Sequence, residues 1–245
     1  MKLYELKAIA KRLNDFSFIS RARRVEDNTL ELVFDKSDSY FFNMTRGHSF
    51  IYKAPSQRTI QGYNAPFDTL LHTLLSASKI ISVEVPNDDR ILRLTLAPKS
   101  SYKDKIICLQ LEFTGKNTNA ILLDNNEVII EALRHIDADS SFRVIRPGVE
   151  LLAIPPFTRT EETKEIADID AYLEEKYTQI QAKKLLELKK QKLSLTDKKI
   201  QKLNQLLKKL PDEAQLNDEA QKYKEYAHLI LANLYQIKPY DTKLK

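Results

Sequence analysis

Apolar residues recur at Leu3, Leu6, Ile9, Ala10 and Leu13, a spacing of threes and fours that lays one stripe along a helix from Met1 to about Asn14. The period then changes. After the polar turn Glu26-Asp27-Asn28, alternate residues Leu30, Leu32 and Phe34 point one way, and Tyr40-Phe41-Phe42 forms another β-rich run. Pro66 suits the first turn of a helix, with Asn64 upstream as its cap and Phe67, Leu70, Leu71, Leu74 and Leu75 as its buried face. Alternation resumes at Ile81, Val83 and Val85, turns at Pro86-Asn87-Asp88, and returns through Leu92, Leu94 and Leu96. Ile107, Leu109, Leu111 and Phe113 repeat the pattern, followed by Ala120 to Leu123. Asp124-Asn125-Asn126 then turns the chain into Val128, Ile129 and Ile130. Hairpins with two helices predict an α+β domain over residues 1–157, an antiparallel and sandwich-like β-sheet. The adjacent Pro155-Pro156 closes it, because neither a helix nor a strand interior continues through two prolines.

A different pattern fills residues 158–237. From 161 onward this stretch holds one proline, Pro211, and no glycine. Leu186, Leu193, Ile200 and Leu207 fall seven apart, and Ala182, Leu203 and Leu210 occupy the alternate seam, which Lys189 and Thr196 weaken. Beyond Pro211-Asp212, the residues Leu216, Ala220, Tyr223, Ala227, Ile230, Leu234 and Ile237 alternate steps of four and three. The expectation is an extended α-helical coiled-coil hairpin whose first helix, at ~1.5 Å per residue, runs on the order of 45 Å. Residues 238–245 read as the start of a further, truncated segment.

Charge sharpens this division. The chain's net charge is +5, yet ten lysines stand against Glu187 and Asp197 between Gln181 and Leu210. They are Lys183, Lys184, Lys189, Lys190, Lys192, Lys198, Lys199, Lys202, Lys208 and Lys209; that segment carries +8, so the rest of the chain carries −3. A stripe this basic exceeds what solubility needs, and phosphates neutralised by it release counterions, giving salt-dependent binding. The plainer reading is a solvated helix face. Asp212, Glu213, Asp218 and Glu219 open the second helix, where its dipole favours them.

Several chemistries are set aside. The four histidines have no ligand spacing, and the one cysteine, Cys108, excludes a thiolate cluster and any internal disulfide. Cys108 falls in an apolar strand and reads as a small core residue. There is no nucleophile elbow, and four glycines build no phosphate loop, so no metal and no cofactor is expected. No apolar run approaches the ~20 residues of a membrane span, and no signal-peptide core is present; a cytoplasmic protein without a membrane partner is expected.

Two polar constellations remain. Asp89-Arg90 is either a turn ion pair worth under ~1 kcal/mol or a guanidinium fork, oriented by a carboxylate, for phosphate or base edges. Around Gly115, the residues Glu112, Thr114, Lys116, Asn117 and Asn119 crowd one strand-to-turn junction. Asn117 and Asn119 alternate with Thr118, so both can face one side of a strand and offer amides to bases or sugars. Alternatively they satisfy the local backbone of a bulge. The residues leave both readings open.

The runs "LEFTGKNTNAILLD", "VIIEALR", "FRVIRPG" and "AIPP", with "DDRILRL", "LHTLLSASKIISVEV" and "HLILANLYQIK", resemble the NFACT family of ribosome quality-control factors, whose members are also described as fibronectin- or fibrinogen-binding proteins. The resemblance covers the amino-terminal domain and first coiled-coil segment. It implies a non-enzymatic factor that binds tRNA, expected to be alanine-accepting, and the obstructed large ribosomal subunit with its ribosomal RNA. Such a factor supports untemplated alanine tailing of stalled chains while the ribosome makes the peptide bonds. It further implies Asp89, Arg90 and Glu5 as tRNA-handling residues, with Glu112, Thr114, Lys116, Asn117 and Asn119 forming a wall beside them. Lys183, Lys184, Lys190, Lys198, Lys199, Lys202, Lys208 and Lys209 are the ribosome-facing set. The sequence departs from the family pattern in the shortness of the stretch between Pro156 and Tyr177, in lacking a carboxy-terminal RNA-binding module, and in carrying His72-Thr73 where the family has Arg-Lys. The domain type also resembles the amino-terminal sandwich of formamidopyrimidine DNA glycosylases. Here Lys2 replaces their terminal proline and the zinc cysteines are missing, so no DNA partner is expected. Two other functions compete: an adhesin for host matrix proteins, and a coiled-coil adaptor without RNA.

Overall fold

The structure, a computed structural model, describes residues 1–56, 62–99, 106–139, 141–154, 164–210 and 212–237. Pro155-Pro156 and residues 238–245 lie outside these. The chain divides into two compact units, Met1–Ala182 and Lys183–Lys245.

The first unit is α+β. Helix α1 (Leu3–Leu13) precedes strands β1 (Phe18–Glu26), β2 (Thr29–Phe34), β3 (Asp38–Asn43) and β4 (Phe50–Lys53). Helix α2 (Pro66–Leu75) then leads into β5 (Ser78–Glu84), β6 (Ile91–Ala97), β7 (Ile107–Glu112), β8 (Asn119–Asp124) and β9 (Ile129–Ala132). The nine strands among the described residues form one antiparallel sheet in the order β4-β3-β2-β1-β5-β6-β7-β8-β9. The join at its centre is narrow: β1 meets β5 only through Phe18 opposite Lys79 and Ile19 opposite Ser78. Leu30, Leu32, Phe34, Leu92, Leu94, Leu96, Leu109 and Leu111 from the two halves share one core with Leu6, Ile9 and Leu13 of α1 and Phe67, Leu71 and Leu75 of α2. A smaller core lies on the other face of β7 and β8, where Ile145 and Leu151 cover Cys108, Ile121 and Leu123. Every position of β7 is therefore buried, polar ones included.

Local departures from the expected pattern have physical causes. Strand β5 buries Ile80 and Val83 and exposes Ile81, because its register with β6 slips between Ile80 and Ser82 and a bulge turns successive side chains. The α2 cap is Ala65 rather than Asn64, and the Asp68 carboxylate reaches back to the Ala65 N–H at 3.0 Å.

Helix α3 (Ile169–Leu207) opens inside the first unit, with Ile169 and Leu173 buried in the main core. Tyr177 stacks on Tyr52 at 5.2 Å. Asp170 accepts hydrogen bonds from Arg12 Nε and Lys53 Nζ, each at 3.0 Å, and from the Tyr40 hydroxyl. Burial pushes the Asp170 carboxyl up, but these three donors outweigh it and hold it below its ordinary value. The first turns of α3 thus belong to the β-rich unit.

In the second unit, the rest of α3 and helix α4 (Glu213–Ala232) form the helical hairpin that the heptads predicted. Its seam is not sealed. Leu193 is 55% exposed and Leu216 50%, and no residue of α4 is buried.

Candidate functional site

The turn before Asp89 is shaped by its backbone. Pro86–Asp88 makes one 3-10 turn in which Asn87 and Asp88 adopt left-handed φ values of 54° and 51°. Such conformations disfavour L side chains and persist where the surroundings hold them. Here Lys7 of α1 pairs with Asp88 at 2.6 Å, and the Asp89 N–H donates to the Pro86 carbonyl at 3.1 Å. Asp89 Oδ1 then accepts the Arg90 N–H at 2.6 Å, while the Arg90 carbonyl accepts the Phe113 N–H at 2.8 Å. The last bond sets Asp89-Arg90 beside the end of β7, so the two polar constellations of the sequence are neighbours.

They are not equally available. Asp89 is 7% exposed and borders a cavity of about 270 Å³ that it shares with Arg93, Gln110, Glu127 and Arg143. Arg90 is half-buried. Glu112 is 0% exposed, and Arg143 grips both its oxygens at 2.7 and 2.8 Å. Gln110 donates to the same carboxylate at 2.7 Å while accepting from Arg93, whose fork holds Glu127 at 2.5 and 3.0 Å. Burial lowers the proton affinity of the Arg93 guanidinium, but its bond to Glu127 and the surrounding negative charge raise it on balance. Glu127, Arg93, Gln110, Glu112 and Arg143 are thus one continuous polar chain along β6 and β7. Burial also pushes the neighbouring Cys108 thiol up to about 12, leaving it unreactive.

The Gly115 junction resolves toward internal use. Gly115 adopts φ 76°, the freedom that the sequence assigned to it. Asn119 is buried: its Nδ2 donates to the Arg134 carbonyl at 2.8 Å, and its Oδ1 accepts the Arg134 N–H at 3.0 Å. Asn117 does not share its face, because Gly115–Asn117 is a 3-10 turn and β8 begins only at Asn119. Thr114 Oγ1 is buried without a partner among the described residues, and Lys116 and Asn117 are exposed. Glu112 and Asn119 present no surface to a ligand; Lys116 and Asn117 do. Glu5 is also engaged inside the unit. It accepts the Lys2 N–H at 2.7 Å, the Tyr172 hydroxyl at 2.5 Å and Lys176 Nζ at 3.0 Å. Burial raises its carboxyl, and these donors bring it below its ordinary value.

Arg134 and Arg143, which the sequence reading did not single out, organise this region. Arg134 donates to the Thr118 carbonyl at 2.9 Å, the Met44 carbonyl at 2.8 Å and the Asn28 amide oxygen. The signal for both was present in "VIIEALR" and "FRVIRPG", where Arg134 and Arg143 directly adjoin apolar residues. Among the described residues, no group of three His, Cys, Asp or Glu is placed to hold a metal. No helix among them is long and apolar enough to cross a membrane.

In the second unit, the eight candidate lysines are all exposed, and none makes an ion pair with a described residue. The arrangement comprises a β-rich body with a paired polar chain beside Asp89-Arg90, and a helical pair with an open cationic face.

Residues 43–178 match the family described as NFACT N-terminal and middle domains, over half of the 245-residue chain, and the chain belongs to that family. The proteins described as Rqc2 homolog RqcH from two Streptococcus pneumoniae strains are 31% identical to it over 105 residues, which is 39% of this chain and 19% of each relative. The match thus spans about a fifth of the length of these curated relatives. Among solved structures, the N-terminal domain of the fibronectin-binding protein PavA from Streptococcus pneumoniae aligns with a TM-score of 0.57 and 22% identity, over 62% of this chain and 61% of that one. The N-terminal part of the fibronectin/fibrinogen-binding protein from Streptococcus suis aligns at 0.58 and 23%, over 64% and 62%. These likenesses establish the shared fold.

Proposed function

We propose that this chain is a ribosome-associated quality-control factor that holds tRNA through the surface around Asp89 and Arg90 and contacts ribosomal RNA of the obstructed large subunit through its lysine-rich helix. Family membership over residues 43–178 carries the reading, since that span includes Asp89-Arg90 and the Gly115 junction. The relatives described as RqcH and the unpaired lysines of the second unit support it. In this reading the factor works in the cytoplasm and positions alanine-accepting tRNA. The ribosome forms the bonds of an alanine tail, and the factor performs no chemistry of its own. Within the body, the contact set narrows to Arg90, Lys116 and Asn117 at the surface. Asp89 orients the Arg90 backbone, and Glu5, Glu112 and Asn119 act from inside.

The test is Arg90→Ala, assayed for retention of tRNA on a filter and for alanine addition on stalled large subunits. Losing one guanidinium contact of about 1–3 kcal/mol lowers tRNA affinity by roughly ten-fold, with circular dichroism retained. A folded variant that binds and tails like the parent refutes the site. Fibronectin or fibrinogen binding is the second reading, taken from the names of the solved neighbours; at 22–23% identity those likenesses carry the fold alone. Protease treatment of intact cells separates the two, because an adhesin is cleaved and a cytoplasmic factor is protected until lysis.

A further inference from the structure

Strand β1 carries three arginines, Arg21, Arg23 and Arg24, at half-buried positions, an unusual load for a strand near the middle of a sheet. Glu31 takes Arg23 and approaches Arg21 at 3.8 Å, and Asp68 of α2 takes Arg24 at 2.6 Å. Glu31 and Asp68 thus each hold an arginine of this strand. Arg23 and Arg24 line a cavity of about 380 Å³ together with Tyr63, Asn64, Asp68 and His72.

Its walls are prearranged. The Arg24 guanidinium lies over one face of the Tyr63 ring at 4.2 Å, and the Tyr63 hydroxyl is held by Asp27 at 2.9 Å, so the ring is fixed in place with its other face uncovered by Arg24. Asp68 is 6% exposed. Its Oδ2 is occupied by Arg24 and the Ala65 N–H, but its Oδ1 has no partner among the described residues. Arg24 Nε is likewise buried and unpartnered. A buried acceptor and a buried donor, both unsatisfied at one cavity, call for a ligand that brings the complement of each. The fixed ring beside them suits a π-face.

A nucleotide meets all of these demands at once. Its base stacks on aromatic planes, and its amino and carbonyl groups supply a donor and an acceptor. We propose that the cavity between β1 and α2 holds one unpaired nucleotide of a bound RNA, with the base against the Tyr63 ring. This rests on the RNA-binding reading above and adds a second contact, separate from Asp89-Arg90.

The probe is a short single-stranded RNA carrying 2-aminopurine, whose fluorescence falls on stacking, titrated into the full chain and into Tyr63→Ala and Tyr63→Phe; tRNA retention is measured on the same samples. The parent and Tyr63→Phe quench the probe. Tyr63→Ala abolishes quenching and weakens the short RNA by at least about five-fold, with circular dichroism and salt slope unchanged because no phosphate contact is lost. If the parent retains tRNA but Tyr63→Ala quenches and binds like it, the cavity is not a nucleotide site and the broader reading stands. A parent that retains no RNA overturns both.

Discussion

Two polar-rich segments of this molecule differ in where their hydrogen bonds end. Between Glu112 and Asn119, the carboxylate belongs to Arg143, the amide of Asn119 closes on the backbone of Arg134, and Thr118 Oγ1 returns to the Gly115 carbonyl at 2.7 Å. Between Lys183 and Lys209, no candidate lysine finds a described carboxylate. The first segment lies in a sheet covered on both faces, where an unpaired polar atom costs about 1–3 kcal/mol and is seldom left so. The second lies on solvent-facing helix, where water satisfies an ammonium and geometry imposes no partner. Density of polar residues therefore means opposite things in the two places. In a covered sheet it marks internal bracing; on an open helix it marks charge available to another molecule.

The sharpest way to break this comparison is Arg143→Ala. It strands the Glu112 carboxylate in a site with no exposure, and removing one partner of a buried pair costs on the order of 3–5 kcal/mol. Urea unfolding reads that loss directly. Replacing both partners, Arg143→Met with Glu112→Leu, removes the charge problem and recovers most of the stability. A single-variant loss below about 1 kcal/mol means that water reaches the pair and that the bracing argument fails.

The same leucine-to-alanine change on one helix sharpens the contrast. Leu173 is 0% exposed within the core of the first unit, whereas Leu193 of the same helix is 55% exposed in the second. Leu173→Ala leaves a cavity and costs about 2–5 kcal/mol in the unfolding of the body. Leu193→Ala stays within about 0.5 kcal/mol. Equal losses in chemical denaturation show that the seam is sealed in solution and that the compact body does not end near Ala182.

These contrasts also explain what could be seen in the sequence. Elements with a clean period were legible: α1, α2, the β6–β7–β8 hairpins and the two long helices follow from apolar spacing alone. Strand β1 was not, because only Ile19 and Ala22 of its nine residues are buried and its arginines disguise it as loop. The alternation of Ile81, Val83 and Val85 does not show that Ile81 is exposed, because a bulge cannot be read from alternation. The docking of Ile169, Leu173 and Tyr177 was not legible, because it rests on long-range contacts and the prolines are only a local signal. The site was half legible. Asp89-Arg90 and the Gly115 junction were recognised as neighbours, but which polar groups already had partners depended on Arg134 and Arg143, more than fifteen residues away from their targets in several cases. Spacing along a chain does not report such pairings.

The smallest expected change in stability comes from Lys190→Gln, Lys198→Gln, Lys199→Gln and Lys202→Gln combined, which keep the apolar seam and remove four ammonium groups that pair with no described residue. Folding changes by no more than about 0.5 kcal/mol. Binding to large ribosomal subunits responds differently: the slope of log affinity against log salt falls by roughly 0.7–0.9 for each lysine that neutralises a phosphate. The measurement separates three roles for the same surface. A shallower slope with intact folding places these ammonium groups against RNA. An unchanged slope and affinity would falsify the electrostatic contact and leave the helical pair as a spacer or an apolar adaptor. Lost folding with an unchanged slope means that the lysines brace the second unit as Arg143 braces the first, and the difference between the two segments disappears.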